Sequence, residues 1–298
     1  MPTITLAIPL YAYILLKTSF ALSISPNNEY ACILHDFNKY YLFSLKNKKL
    51  VVKHELQDYY DNVFFISSSK IALVKKNRLY ILDSASLKKE LELGFNRDIR
   101  EIRVLKEEQN RTLFLVLTDY SIRYFMYEKN TINLLAEKNL IKFFDIVLKD
   151  GKAYVGNNVF LSIFNLNQFL GFRWINQKNL KFDEPVYSLD IGENKIVILH
   201  YISNQKRKVG IYSIDGRLAK NIDLEGNYLK LWLTHDEKEI MLFDKTNSTK
   251  ILNYNGSIRE TNIYGSKILD MQKYSEGFVL ILQGYNEDPE FVILTKDR

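Results

Sequence analysis

Four histidines, one cysteine and two short basic clusters are the side chains from which this chain would have to build chemistry. His35, His54, His200 and His235 lie far apart, and a metal site needs such ligands to converge on one ion together with Cys or carboxylates. No Cys-x-x-Cys, His-Glu-x-x-His or calcium-loop pattern occurs, so no metal and no cofactor is expected. His235-Asp236-Glu237 is the most suggestive triplet. It occupies a turn between two strand-like runs, where Asp is an ordinary turn former, and we read it as a solvated turn. Gly-rich phosphate cradles and a Gly-x-Ser-x-Gly elbow are missing too. No catalytic residue is assigned, although a site assembled from several distant loops would leave no local signature.

The remaining candidates are surface residues. Lys75-Lys76-Asn77-Arg78 and Lys206-Arg207-Lys208 each fall between the second and third strand-like runs of a repeated unit, and Tyr120 takes the matching place in another. Cations beside aromatic rings can track a phosphate backbone or receive an acidic peptide. Lys-rich hairpin tips also keep strands soluble and discourage edge pairing, which is the plainer reading. Arg173 and Trp174 sit in a long irregular stretch from Gln168 to Pro185, the largest departure from the repeat, and loops carry function more often than scaffolds do. Trp174 and Trp232 are expected to pack between units.

The elements that would hold these residues are short strands. From Phe20 to Leu45 three β-branched and aromatic runs are separated by Ser25-Pro26-Asn27-Asn28 and by His35 to Asn38, a pattern of antiparallel strands joined by tight turns. Lys49 to Leu56 supplies a fourth. Turns equivalent to Ser25-Pro26-Asn27-Asn28 recur near positions 68, 108, 150, 193, 236 and 276, in steps of 40 to 43 residues. That period fits four strands per propeller blade, and the shortness of runs such as Val63 to Ile66 and Phe278 to Leu282 excludes helical repeats of similar length. Arg97 to Glu108 has a helical rival in the spacing of Ile99, Ile102 and Leu105, but the period calls for a strand there. Asp215-Gly216 and Asn255-Gly256 are expected to form type I′ hairpin turns.

The expected architecture is all-β, a single seven-bladed β-propeller over residues 1–298, with six or eight as the alternative blade counts. The blades fall at about 18–57, 60–96, 97–140, 141–182, 183–225, 226–264 and 265–298 plus 3–9. The last unit lacks a fourth strand, and the apolar run Ile4 to Leu16 is expected to close the ring by pairing with it, which would cover an exposed edge. With Pro9 inside it and no basic residue before it, this run is read as buried strand instead of a signal peptide or membrane span.

Composition agrees. Hydrophobic residues make up 47% and charged residues 26%, enough to bury a large core. The net charge of +6 is interspersed along the chain, so nucleic acid is permitted but not implied. A single cysteine, Cys32, excludes an internal disulfide and suits an intracellular setting.

Two segments resemble a known family. Leu22-Ser-Ile-Ser-Pro-Asn-Asn-Glu-Tyr30 is similar to the first strand and turn of a WD repeat, and Val209-Gly-Ile-Tyr-Ser-Ile-Asp-Gly-Arg-Leu218 to the third-strand exit of YVTN-type repeats. The chain thus resembles the WD40-like and YVTN-like β-propellers over nearly its whole length, without the Gly-His and Trp-Asp pairs of true WD repeats. The resemblance implies a non-catalytic platform that docks protein or peptide partners on one face; the loop residues Lys75, Lys76, Arg78, Tyr120 and Lys206 to Lys208 are the candidates for that face from their charge and position in the repeat. An accessory subunit that binds RNA, or positions a partner enzyme on it, is the alternative, followed by a propeller hydrolase or lyase.

Overall fold

A computed structural model describes residues 20–109, 111–139, 143–166, 175–244, 249–260, 268–275, 277–283 and 289–295. The closing role expected of Ile4 to Leu16 falls outside these residues. The strands divide into two compact units, split between Gly94 and Phe95. In the first unit, β1 (Phe20–Ile24), β2 (Tyr30–His35), β3 (Lys39–Ser44) and β4 (Lys49–Glu55) form one antiparallel sheet. A second contains β5 (Asn62–Phe65), β6 (Lys70–Lys75), β7 (Arg78–Asp83) and β8 (Lys89–Gly94).

The second unit begins with a third sheet of β9 (Ile99–Glu108), β10 (Arg111–Thr118), β11 (Ser121–Glu128) and β12 (Thr131–Asn139). The fourth holds β13 (Phe143–Lys149), β14 (Lys152–Asn157), β15 (Phe160–Asn165) and β16 (Ile175–Lys181). The fifth holds β17 (Val186–Ile191), β18 (Lys195–Ser203), β19 (Lys206–Ser213) and β20 (Leu218–Glu225). In the sixth are β21 (Tyr228–Leu233), β22 (Glu239–Asp244), β23 (Thr249–Asn253) and β24 (Ile258–Glu260). The seventh has three described strands, β25 (Ile268–Tyr274), β26 (Gly277–Gln283) and β27 (Pro289–Thr295).

Arg97 to Glu108 thus runs as strand and not as helix. Within the expected irregular stretch from Gln168 to Pro185, Ile175–Lys181 forms β16, which pairs along β15 with one register shift between Ile163 and Phe164. Arg173 and Trp174 lie outside the described residues.

Apolar packing lies between consecutive sheets within each unit. In β18, Ile196 and Ile198 pack with Leu161 and Ile163 of the fourth sheet, while Val197 and Leu199 pack with Tyr228 and Leu231 of the sixth. Successive side chains of a strand point to opposite faces. A strand covered on both faces therefore reads as an unbroken apolar run, which is why Lys195-Ile-Val-Ile-Leu199 shows no alternation. In the first unit Cys32, Tyr40 and Leu42 pack against Val63, Phe65 and Ile71, and the Tyr40 hydroxyl donates to the Ser84 carbonyl at 2.9 Å. Trp232 packs against Phe278 of the seventh sheet, ring centres 6.2 Å apart, as expected of a residue between units of the repeat.

Two irregularities recur in phase. The first strands β9, β13, β17, β21 and β25 each bulge near their start, and the residue after the bulge is Glu101, Asp145, Ser188, Lys230 or Asp270. The fourth strands β4, β8, β12, β16 and β20 bulge at Val51, Glu90, Leu135, Gln177 and Ala219. Bulges add local twist and re-aim side chains.

The turns at Asp215-Gly216 and Asn255-Gly256 are not type I′. Only the glycines have positive φ, 87° and 100°, and Ser213 N–H reaches the Arg217 carbonyl at 2.9 Å while Gly216 N–H donates to Ser213 at 2.8 Å. This is the longer hairpin loop ending in a left-handed glycine. Paired left-handed residues occur instead at Asp36-Phe37, Lys129-Asn130 and Asp150-Gly151.

Candidate functional site: basic turns and a charged row

The basic turn of the first unit is largely paired. Lys75 forms an ion pair with Asp58 at 3.1 Å and Arg78 one with Glu92 at 2.7 Å. Lys76 is left-handed, φ 55°, and its backbone N–H donates to the Asp61 carboxylate at 2.5 Å. Its ammonium has no ionic partner among the described residues, so it is the free cation of this turn.

The second basic cluster opens β19, and strand alternation splits it. Lys206 is exposed, Arg207 is buried and Lys208 is half-buried. Arg207 is 2% exposed. Its Nε donates to the Tyr228 carbonyl at 3.0 Å, its Nη1 to Lys206 O and Ser203 O, and its Nη2 to Asn227 Oδ1 at 2.5 Å. The rings of Tyr187 and Tyr201 lie 5.2 and 4.7 Å from the guanidinium. Burial lowers its pKa, and the two tyrosines oppose that. Arg207 is thus a packing cation and not a surface residue, because the triplet lies within a strand and not in a loop. Lys208 is ion-paired with Glu184. Tyr120, 49% exposed, is left in the turn between β10 and β11, with the Arg97 guanidinium 5.7 Å from its ring centre. Of the expected surface, Lys75, Lys76, Arg78, Tyr120 and Lys206 are exposed, and of these Lys75 and Arg78 are held in ion pairs.

A polar row on the first strands was missed by sequence reasoning. Asp145 Oδ2 accepts from Ser188 Oγ at 2.9 Å and from Leu189 N–H at 3.0 Å, joining the fourth sheet to the fifth. Asp190 Oδ2 accepts from Leu233 N–H at 2.8 Å and from Lys273 Nζ at 3.1 Å. Ser188 Oγ accepts from Leu231 N–H at 3.4 Å. In the first unit Ser23 Oγ accepts from Phe65 N–H at 2.9 Å in the same manner. In β13 and β17 the bulge directly precedes Asp145 and Ser188 and aims them at the neighbouring sheet. Glu101 belongs to the row, paired with Arg103; burial pushes its carboxyl pKa up, while Arg103 and Lys230 pull it back and Asp145 adds to the rise. The available signal was a polar residue recurring inside the apolar first-strand runs, Asp145 and, 43 positions further on, Ser188.

The histidines do not converge. His200 is held between the Glu184 carbonyl at 3.2 Å and the Tyr212 hydroxyl at 3.1 Å. His235 contacts the Tyr274 carbonyl at 2.9 Å. Asp236 is a turn former as expected, accepting from Thr234 Oγ1 and Lys238 N–H. Glu237 does more than a solvated residue would: its carboxylate accepts from Glu193 N–H at 2.6 Å and its carbonyl from Lys195 Nζ at 3.0 Å, tying the fifth sheet to the sixth. Among the described residues no group of three or more His, Cys, Asp and Glu side chains is placed to hold a metal ion. No helix among them is long and apolar enough to cross a membrane.

No known protein family and no curated protein sequence matches this chain. Solved structures do match in fold. Hsv2 of Kluyveromyces lactis is 12% identical, with 88% of this chain and 89% of that one covered at a TM-score of 0.64. Sqt1 of Saccharomyces cerevisiae is 12% identical, covering 89% and 92% at 0.61. A chain of a mitotic checkpoint complex is 12% identical, covering 93% and 86% at 0.67. These are WD40 β-propellers, and the protein has a WD40-like β-propeller fold. At such identities the likeness carries the fold alone.

Proposed function

We propose that this protein is a non-catalytic scaffold of seven blades that docks protein or peptide partners through exposed residues at its second-to-third strand connections, Lys76 in the first unit and Tyr120 and Lys206 in the second. The observation that carries this reading is where the polar chemistry goes. Asp145, Ser188, Asp190, Arg207 and Glu237 direct their polar atoms to the backbone and side chains of neighbouring strands. Exposed turn residues are left as the means of contact with other molecules. A fold shared with a chain of a mitotic checkpoint complex fits such a role.

Affinity capture from native extract, with parent and the Lys76→Ala/Tyr120→Ala/Lys206→Ala variant as baits, tests it. A partner retained by the parent and lost by the variant supports the reading; a partner held equally by both overturns this surface. The free cations of Lys76 and Lys206 and the exposed Tyr120 ring also suit RNA. Steeply salt-dependent RNA binding, lost in the same variant, would replace the first reading with the second.

A further inference from the structure

The hairpin joining β3 to β4 concentrates positive charge. Residues 46–54 contain Lys46, Lys48, Lys49 and Lys53 and no Asp or Glu. Elsewhere cations are mostly paired, as Lys70 is with Asp83 and Glu90, and Arg100 with Asp119. Lys46, Lys48 and Lys49 are exposed and have no ionic partner among the described residues. Lys53 lies 5.5 Å from the Tyr41 ring centre. Lys48 is held left-handed, φ 51°, which fixes the tip of the hairpin.

Three further features share this place. Among the described residues β4 pairs with β3 alone, so its outer edge offers backbone N–H and C=O groups to a further strand. Six of its seven residues are exposed. At its bulge Leu50 and Val51 are 45% and 49% exposed, aliphatic side chains set directly beside the lysines. Formal charge differs among the fourth strands with described side chains, since β4, with Lys49, Lys53 and Glu55, sums to +1, whereas β8 and β20 sum to −1 and β12 and β24 to zero.

We propose that the edge of β4 is a second docking surface, which takes an extended acidic peptide segment with interspersed aliphatic residues as an added antiparallel or parallel strand. This rests on the reading of the protein as a docking scaffold, but at residues distinct from Lys76, Tyr120 and Lys206. Main-chain hydrogen bonds supply affinity in such strand addition, and side chains supply selection. Acidic side chains complement Lys46, Lys48 and Lys49, and aliphatic ones meet Leu50 and Val51. A second copy of this edge is disfavoured because pairing would set lysines opposite lysines. Single-stranded nucleic acid binds through aromatic stacking platforms, and residues 46–53 contain no aromatic ring.

The test is fluorescence anisotropy of the full chain with a labelled peptide of about nine residues, alternating glutamate and valine, long enough to span the seven residues of β4. Binding should weaken at least about tenfold in the Lys48→Glu/Lys49→Glu variant, whose folding is checked by circular dichroism, because like charge then faces like charge. It should also be lost with a peptide N-methylated at alternate amides, which cannot donate to the strand edge. The Lys76→Ala/Tyr120→Ala/Lys206→Ala variant should bind the peptide as the parent does. Failure of the peptide to bind, equal binding by the charge-reversed variant or by the N-methylated peptide, or tighter binding of the same lysines to phosphatidylserine vesicles or oligouridylate overturns the proposal. If the peptide fails while partner capture still depends on Lys76, Tyr120 and Lys206, only this second surface is refuted.

Discussion

A guanidinium enclosed by two phenol rings is tolerated only while its N–H groups have acceptors, and Arg207 finds its acceptors in backbone carbonyls and Asn227. Removing it leaves the Tyr228 and Ser203 carbonyls without this donor and empties the space between Tyr187 and Tyr201. Arg207→Ala should therefore destabilise the fold by about 3 kcal/mol, whereas Lys206→Ala, one residue away and exposed, should stay within about 0.5 kcal/mol; urea unfolding of the two variants measures both. His200 makes a pH prediction at the same scale. Burial beside Phe182, together with the Lys208 ammonium, lowers its pKa below the ordinary value against the pull of the Glu184 carbonyl and carboxylate. Below about pH 6.5 the unfolded chain takes up a proton that folded His200 resists, so stability falls as pH drops through that value and this loss ends below the folded pKa. In urea titrations the advantage of the parent over His200→Gln should accordingly shrink on acidification from neutrality; an advantage independent of pH would refute the assignment.

Among the elements, the first three strands of each repeat were legible because most are short apolar runs closed by Pro, Asn, Asp or Gly, whereas the exposed, polar fourth strands, Lys49 to Leu56 apart, and the types of the hairpin turns were not. What escaped notice at the candidate site has a common cause in register. Arg207 reads as part of a basic loop until β19 is seen to begin at Lys206, after which alternation sends it inward. Asp145 and Asp190 stand inside apolar runs with no motif to mark them, and the bulges at the start of β13 and β17 set the register that turns them to the next sheet. Bulges shift register by one residue, and composition does not reveal them. Asp145→Ala should cost about 2 to 3 kcal/mol, the range for a hydrogen bond to a charged acceptor, by leaving Leu189 N–H unsatisfied. Glycine turns give a graded comparison. Gly151 and Gly216 both have positive φ, 69° and 87°, so alanine at either meets about 1 kcal/mol or more of backbone strain. A Cβ at Gly151 meets nothing within 4 Å, whereas one at Gly216 would lie 2.6 Å from the Leu180 methyl groups. Gly216→Ala should be the more destabilising in denaturant unfolding, and the gap should narrow in a Leu180→Ala background.

At the scale of the whole molecule, charge is what composition stated without locating. The net +6 is spread in sequence, but most cations with described partners are neutralised locally, which leaves the hairpin at Lys46 to Lys53 as a place where positive charge accumulates. These lysines act on solubility in two separable ways. They raise net charge, which keeps molecules apart, and they sit on a free strand edge, where like charges oppose edge-to-edge pairing. Two triple variants separate the effects. Lys46→Gln/Lys48→Gln/Lys49→Gln loses three charges from +6 and remains cationic at +3, with an edge of low charge beside Leu50 and Val51. Lys46→Glu/Lys48→Glu/Lys49→Glu loses six and is formally neutral, with an edge that is still charged. Sedimentation velocity should show the Gln variant associating at lower concentration than the parent across the neutral range, because its edge is unprotected. The Glu variant should be least soluble near pH 7 and recover on raising the pH toward 9, where net negative charge returns. Should the Gln variant stay as dispersed as the parent while the Glu variant precipitates, net charge alone governs solubility, and the lysines of this edge have no protective role.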